Sequence, residues 1–384
     1  MRAVALVDGE HYPDVVREAL GALSYEWVGV ILVGGTEKLR STPDYGVPIV
    51  DGFEHADVVV DLSDEPVLGP AARLRWASRA LAEGLPYIGA DFRFDPPALE
   101  PFELPSVSVI GTGKRVGKTA VTGHLARLLS RDRDVVVVAM GRGGPPEPEL
   151  VALPPTVEEL VARSRAGRHA ASDHLETAAT SGVPTIGCRR AGGGLAGAVF
   201  TSNVAAGARL AAERNPDVVI FDGSGAAIPP IATDRRILVV GPEQDIDAYL
   251  NTYRRLISDL VIAVNCEVDG AVPVVLRLRP AGPLTGRVAV FTAGGSDVSH
   301  LDADVVSVST SLADRAALAR ELASVDADTY LVEVKAAAID VVAEHALAHD
   351  RQIVLASNDV VSRDRDRDLD AMLLDLVPAK VGTR

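Results

Sequence analysis

The chain has 384 residues, of which 47% are hydrophobic, 24% charged and only 4% aromatic. Domains of roughly 100–200 residues make two or three domains the expectation, and this composition excludes a disordered chain, with Val, Ala, Leu and Ile left to fill the cores. A net charge of −15 argues against a general nucleic-acid binder, and two cysteines, Cys188 and Cys266, cannot build a disulfide framework or a multi-thiolate metal site.

Residues 1–100 read as a small α/β domain. The apolar run Ala3–Val7 stops at Asp8-Gly9 and is followed by an amphipathic stretch over Asp14–Leu23. That first run is too short for a signal peptide, and no stretch approaches the ~20 apolar residues of a membrane span. A cytoplasmic protein with no membrane partner is therefore expected. Val28–Val33 ends in Gly34-Gly35, Asp57–Leu62 ends in Ser63-Asp64-Glu65, a helical pattern fills Val67–Glu83, and Tyr87–Gly89 is a further strand. Strands that alternate with helices and close on Gly or Asp are the mark of βαβ units. Asp91–Pro105, with four prolines, reads as a linker.

A second α/β unit spans 106–283. Strands are predicted at Val107–Ile110, Val135–Met140, Pro184–Gly187, Val218–Asp222, Ile237–Val240 and Leu260–Val264. Helices are predicted at Lys118–Ser130, Val157–Arg163, Asp173–Ser181, Asn203–Asn215 and Asp245–Ile257. After a Pro/Gly-rich break at Pro280–Gly286, residues 286–384 read as a third, smaller α/β unit. Its strands are Arg287–Thr292, Asp304–Ser307, Thr329–Glu333 and Gln352–Leu355, with helical patterns at Leu312–Ser324 and Ala337–Ala348. The mixed charge run Arg363–Asp370 reads as a solvated loop.

The chemistry concentrates at Gly111-Thr112-Gly113-Lys114-Arg115-Val116-Gly117-Lys118-Thr119, between a predicted strand and a predicted helix. The usual phosphate loop has Gly, four residues, then Gly-Lys-Ser/Thr; here that first position is Thr112, so the spacing departs by one residue. The physics survives, because glycines admit phosphate oxygens to backbone N–H groups and the helix start turns its positive end toward them. Lys118 would neutralise the β- and γ-phosphates, and the Thr119 hydroxyl would ligate Mg²⁺. The predicted nucleotide-binding set is Gly111, Gly113, Val116, Gly117, Lys118, Thr119 and Ala120. Asn265, at a strand end, is the candidate for a purine edge. The competing reading is an ordinary glycine-rich turn.

Asp222 closes the apolar strand Val218–Asp222, where a carboxylate faces the ligand crevice of a parallel sheet, so it is the predicted metal-side acid. A turn-forming Asp is the alternative. Glu147 and Glu149, in a Pro-rich loop, are candidates for a second metal, and His174 for a proton shuttle. Three basic, glycine-rich segments also follow predicted strands: Lys114 and Arg115 in the loop, Arg142 in Gly141–Gly144, and Arg189-Arg190 before Ala191–Gly194. Arginine suits bidentate phosphate or carboxylate recognition, so a second, strongly anionic ligand beside the γ-phosphate is expected. Arg235-Arg236 precedes a strand and belongs at the opposite edge.

With these segments set out, the sequence resembles the cyclic 2,3-diphosphoglycerate synthetase family. The resemblance is carried by Asp8–Pro13, the Gly111–Thr119 loop, Met140–Glu149, Thr185–Arg190, Asp222–Ala226 and Val288–Thr292. More distantly, the phosphate loop is similar to that of dethiobiotin synthetase. The resemblance implies a central P-loop NTPase domain with a parallel sheet, flanked by a Rossmann-like N-terminal domain and a small C-terminal α/β domain. It implies an ATP- and Mg²⁺-dependent ligase that closes the intramolecular phosphoanhydride of 2,3-diphosphoglycerate, giving the cyclic product, ADP and phosphate. Lys114, Arg115, Lys118, Arg142, Arg189, Arg190 and Asp222 would then be catalytic, with Thr119, Asp222 and Glu147 toward the metal. A ligase for another small carboxylate or phosphate, and a non-catalytic nucleotide switch, stay open as alternatives. The sequence does not set the oligomeric state; a homodimer is carried as an expectation.

Overall fold

Valine-rich runs closing on Gly or Asp become parallel strands when helices cover both faces of the sheet, and that is how this chain is built. The computed structural model describes residues 1–39, 41–294, 297–334 and 338–378. They form two compact units: Met1–Ala98 with Gly194–Ala198 and Asp245–Ser258, and Leu99–Gly193 with Val199–Gln244 and Asp259–Arg384. Among the described residues no helix is long and apolar enough to cross a membrane.

In the first unit β1 (Arg2–Val7), α1 (Pro13–Ala22), β2 (Glu26–Leu32), β3 (Val58–Asp61), α2 (Pro70–Ala82), β4 (Tyr87–Ile88) and β5 (Arg93–Phe94) follow one another. The sheet order is β2-β1-β3-β4-β5, with β1 parallel to both β2 and β3. Ala5, Val7, Val30 and Tyr45 fill part of its core. α2 starts later than the periodicity suggests because Pro70, which has no N–H to place in the ladder, occupies its first turn.

The second unit contains β6 (Ser106–Gly111), α3 (Lys118–Leu129), β7 (Val135–Gly141), β8 (Glu149–Val151), α4 (Val157–Arg165), α5 (Asp173–Ser181) and β9 (Thr185–Ala191). Then come β10 (Thr201–Ser202), α6 (Val204–Glu213), β11 (Val218–Asp222), β12 (Arg235–Val240), β13 (Leu260–Val264) and β14 (Val272–Pro280). The last strands are β15 (Arg287–Phe291), β16 (Asp304–Ser309), β17 (Thr329–Glu333) and β18 (Gln352–Ser362). All but β8 lie in one path, β10-β9-β7-β11-β6-β12-β13-β14-β18-β17-β15-β16, and β8 pairs with β9.

The phosphate-loop strand β6 lies between β11 and β12, each parallel to it. Beyond β13 the sheet changes direction. β14 is parallel to β13, with Val264 opposite Val274, but antiparallel to β18, with Val274 opposite Ser362 and Pro280 opposite Ala356. β17 is parallel to β18 and ends with Glu333 opposite Ala356. The C-terminal ends of the β6–β13 strands and of β15–β17 therefore face one another. The stretch of β14 from Val275 to Pro280, about 20 Å long at ~3.3 Å per residue, spans the gap. The segments after 286 do not make a sheet of their own; they extend the one that carries the loop.

Several expected elements are altered. The helix expected at Asp245–Ile257 is confined to Asn251–Leu256: the Asp245 carboxylate accepts the Asp247 N–H in a local turn and Tyr249 has φ +52°. The pattern at Ala337–Ala348 becomes a π-helical turn, Ala338–Ala343, followed by an α-helix over Glu344–Ala348; Ala337 lies outside the described residues. β8 and β14 have no counterpart among the expected strands, and the Pro/Gly break near Pro280 marks only the end of β14. The charged tail is a loop until Asp368, whose side chain caps a helix over Leu369–Leu376.

Because the sheet is continuous through β14 and β18, a chain cut after residue 285 leaves the β18-facing edge of β14 unpaired, and exposed apolar edges associate. The expected outcome is aggregation or higher-order association of the 1–285 fragment by size-exclusion chromatography, under conditions where the full chain elutes as a single species.

Candidate functional site

Local sterics set the shape of the phosphate loop. Gly117 has φ +98°, and a Cβ there would stand 3.1 Å from Val264. A Cβ on Gly111 would stand 2.8 Å from Val116 and 3.0 Å from Lys118, so the chain turns tightly back on itself. Arg115 takes φ +61°, a left-handed conformation for a non-glycine residue. Gly117 then caps α3, whose first residue is Lys118.

Lys118 is 8% exposed, and its Nζ donates to the Gly113 carbonyl at 2.9 Å. Burial pulls its pKa down, opposed by the Asp222 and Asp173 carboxylates. Asp222, at the end of β11, is 2% exposed and lies behind the cavity wall rather than on it; its Oδ1 has no hydrogen-bond partner. Burial, then the Asp173 carboxylate, push its pKa from 3.8 up to about 7, against the pull of Lys118. A buried carboxylate oxygen with no hydrogen bond of its own, beside the Lys118 ammonium, is suited to complete its coordination with a cation. Among the described residues, no three His, Cys, Asp or Glu side chains form a ready-made metal cage.

A cavity of about 920 Å³ opens over the loop. Lys114, Arg115, Gly117, Lys118, Thr119 and Ala120 all line it. Of the predicted arginines, Arg142 lines it directly. Arg190 lies close by: its Nη2 donates to the Ser224 carbonyl at 2.8 Å and its Nη1 to the Gly192 carbonyl at 2.6 Å. Burial and the neighbouring Arg142 lower its pKa, and a Cβ on Gly225 would sit 3.5 Å from Arg190 and 3.7 Å from Lys114. Three strand ends thus bring Lys114, Lys118, Arg142 and Arg190 together.

Of the other candidates, Asn265 and His174 also line the cavity; the rest fall elsewhere. Arg189 is exposed and off the cavity wall, because alternation along β9 turns it away from Arg190. Glu147 is exposed and also off the wall. Glu149 is taken up by Arg163, with contacts of 2.6 and 2.7 Å that lower its pKa. His174 is packed against Gly187, and burial lowers its pKa to about 4, with Glu149 3.9 Å away opposing the shift, so it is neutral near pH 7. Both cysteines are free thiols; burial raises Cys188 to about 12. Arg235 and Arg236 stand at the opening of β12, opposite Val107 and Ser108, at the edge away from the loop.

The structure adds a wall that residue patterns did not reveal. Ala293, Gly294, Arg315, Glu333 and Asn358, all after residue 286, line the same cavity. The Glu333 carboxylate accepts the Ala293 N–H at 3.0 Å and the Asn358 amide at 3.4 Å. Arg315 is paired with Asp340 at 2.6 Å. The available signal was Glu333 itself, an acid at the C-terminal end of a parallel strand, as Asp222 is.

A strand, a glycine loop, a helix opening on lysine and a carboxylate ending the neighbouring parallel strand define a P-loop nucleotide-binding protein of the α/β class. Models of three parts of cyclic 2,3-diphosphoglycerate synthetase match this chain: the N-terminal domain over residues 2–56 and 53–95, the P-loop domain over 106–273 and the C-terminal domain over 296–359. A protein of that name from Rubrobacter xylanophilus is 44% identical, with 95% of this chain and 96% of that one covered. Another from Methanothermus fervidus is 38% identical, covering 93% and 92%. The chain belongs to the cyclic 2,3-diphosphoglycerate synthetase family. A solved structure of LpxK from Aquifex aeolicus in complex with ATP aligns with TM-score 0.44 and 14% identity over 73% of this chain and 91% of that one, a likeness too slight to carry argument.

The raised pKa of Asp222 has a consequence for stability. Its folded pKa exceeds the unfolded 3.8, so the ionised form is disfavoured in the fold: stability from this group is full below pH ~4 and lost as pH rises through about 7. The ligand-free Asp222→Asn variant is expected to melt above the wild type at pH 8 and level with it near pH 4. Thermal melts across that range check it.

Proposed function

We propose that this chain is an ATP- and Mg²⁺-dependent synthetase that joins the two phosphates of 2,3-diphosphoglycerate into a cyclic phosphoanhydride, releasing ADP and phosphate. The observation that carries the reading is the convergence of Lys114, Arg142 and Arg190 beside Lys118, more positive charge than a nucleotide alone calls for. Curated relatives spanning nearly the whole chain carry the same name.

The reaction brings polyanions together, so the residues act by neutralising and positioning charge rather than by strong-base chemistry. The γ-phosphoryl group of ATP passes to one substrate phosphate. The other substrate phosphate then attacks the phosphorus so activated and expels inorganic phosphate, closing the ring. Lys118 and the loop amides hold the β- and γ-phosphates, while Lys114, Arg115, Arg142 and Arg190 hold the substrate phosphates. Asn265 meets the purine edge. A divalent cation, when bound by the Thr119 hydroxyl and the Asp222 carboxylate, supplies further charge neutralisation at the phosphates; the unpartnered Asp222 Oδ1 supports this assignment. Glu147, exposed and off the wall, has no such support.

Phosphorus NMR of the protein with ATP, Mg²⁺ and 2,3-diphosphoglycerate tests the reading. The expected result is a cyclic phosphoanhydride formed in step with ADP. ADP release indifferent to 2,3-diphosphoglycerate, or stimulated by a carboxylic acid in its place, would overturn the substrate assignment. Lys118→Ala is expected to lower the rate by roughly 10²–10³-fold, since it removes a donor aimed at developing charge. Full activity in that variant would overturn the phosphate-loop assignment.

A further inference from the structure

The cavity has two chemically different ends, and the strand order separates them. β11, β7 and β9 lie on one side of β6, and their ends bring Arg142 and Arg190 beside the loop lysines. On the other side the order runs β12-β13-β14-β18-β17. There the lining is Asn265 at the end of β13, Leu276 on β14, Asn358 on β18 and Glu333 at the end of β17. Arg127, the cation that reaches this end from α3, is tied to Asp359 at 2.7 Å.

The distance between the ends also matters. Thr119, Gly123 and Arg127 recur every four residues and all line the cavity, so it follows one face of α3 for about 12 Å at ~1.5 Å rise per residue. Gly123 adds no side chain to that face, and the Arg127 guanidinium reaches back over it, its Nη1 3.4 Å from where a Cβ would stand. At the far end the Arg127 Nη2 donates to the Asn358 carbonyl at 3.2 Å, which fixes β18 against the helix. A ligand whose phosphates sit in the loop and which fills this length must place a neutral part against Glu333 and Asn358.

Glu333 is the distinctive group. Its partners are a backbone N–H and an amide, and no cation pairs with it among the described residues. A carboxylate so placed would repel a polyanion and retains lone pairs for neutral hydroxyl donors. Leu276 offers an apolar surface and Asn265 both a donor and an acceptor.

We infer that the C-terminal half of the sheet forms the nucleoside wall of the nucleotide site, with Glu333, held in place by Asn358 and the Ala293 N–H, accepting the ribose hydroxyls. The inference rests on the nucleotide reading above and adds a role for residues after 286: they would distinguish a ribonucleotide from bare polyphosphate and from deoxynucleotides. Glu333 would be a specificity residue, and Asn358 a positioning residue acting through it.

Equilibrium titration of the full chain with ATP, 2′-deoxy-ATP, 3′-deoxy-ATP and inorganic tripolyphosphate tests this without reference to the product made. For the wild type, loss of one hydroxyl bonded to a carboxylate should weaken binding about tenfold or more. Glu333→Gln should weaken ATP to near that level, narrow the gap between ATP and the deoxynucleotide and leave tripolyphosphate unchanged. Asn358→Ala should act in the same direction to a smaller degree. Equal binding of ATP and both deoxynucleotides by the wild type would overturn the inference, as would a Glu333→Gln effect of equal size on tripolyphosphate. Those results leave the phosphorus NMR outcome untouched, and a missing cyclic product leaves these titrations interpretable, so the two readings fail separately.

Discussion

A lysine ammonium held out of water must be answered by fixed partners, and much of the second unit can be traced to that requirement. Lys118 is 8% exposed, and burial lowers its pKa. The Gly113 carbonyl accepts from it, and Asp222 and Asp173 approach from neighbouring elements. Asp222 is in turn disfavoured in its charged form by its own burial. The group of charges is only partly satisfied as it stands, which suits a site whose remaining partners, phosphates and a cation, arrive with the ligand.

The same requirement explains where the glycines sit. Gly117 must take a left-handed conformation with Val264 behind it, and Gly111 must leave room for Val116 and the Lys118 stem. The loop can depart by one residue from the usual spacing because what matters is backbone N–H groups turned toward an anion at the start of α3. Spacing is a proxy for that geometry. The arginines divide on similar grounds: Arg190 folds back onto the Ser224 carbonyl beside Lys114, whereas Arg189, one residue earlier on β9, faces away.

The large sheet extends the site beyond the loop. Because β14 pairs with β13 on one side and β18 on the other, the chain after residue 286 turns its own strand ends back toward the phosphate loop. A parallel α/β sheet collects ligands at its C-terminal edge. Here two such edges confront one cavity, one rich in cations and the other carrying Glu333, Asn358 and an Arg315–Asp340 pair.

Local order was legible in the sequence. The apolar runs at Val107–Ile110, Val135–Met140 and Val218–Asp222 are strands, and the α5 helix spans the residues its pattern suggested, because strand burial and helix periodicity are written in neighbouring residues. The loop from Gly111 to Thr119 and the acid at Asp222 were legible for the same reason. The periodicity over Asp245–Ile257 predicts a full helix, but one Asx turn outweighs it and the helix forms only over Asn251–Leu256. Only the tertiary structure decided that Val274 pairs with Ser362, and so that Glu333 shares a cavity with Lys118. Such pairings join segments far apart in the chain through backbone hydrogen bonds, which every residue can make, proline as an acceptor only, and they leave no trace in local composition.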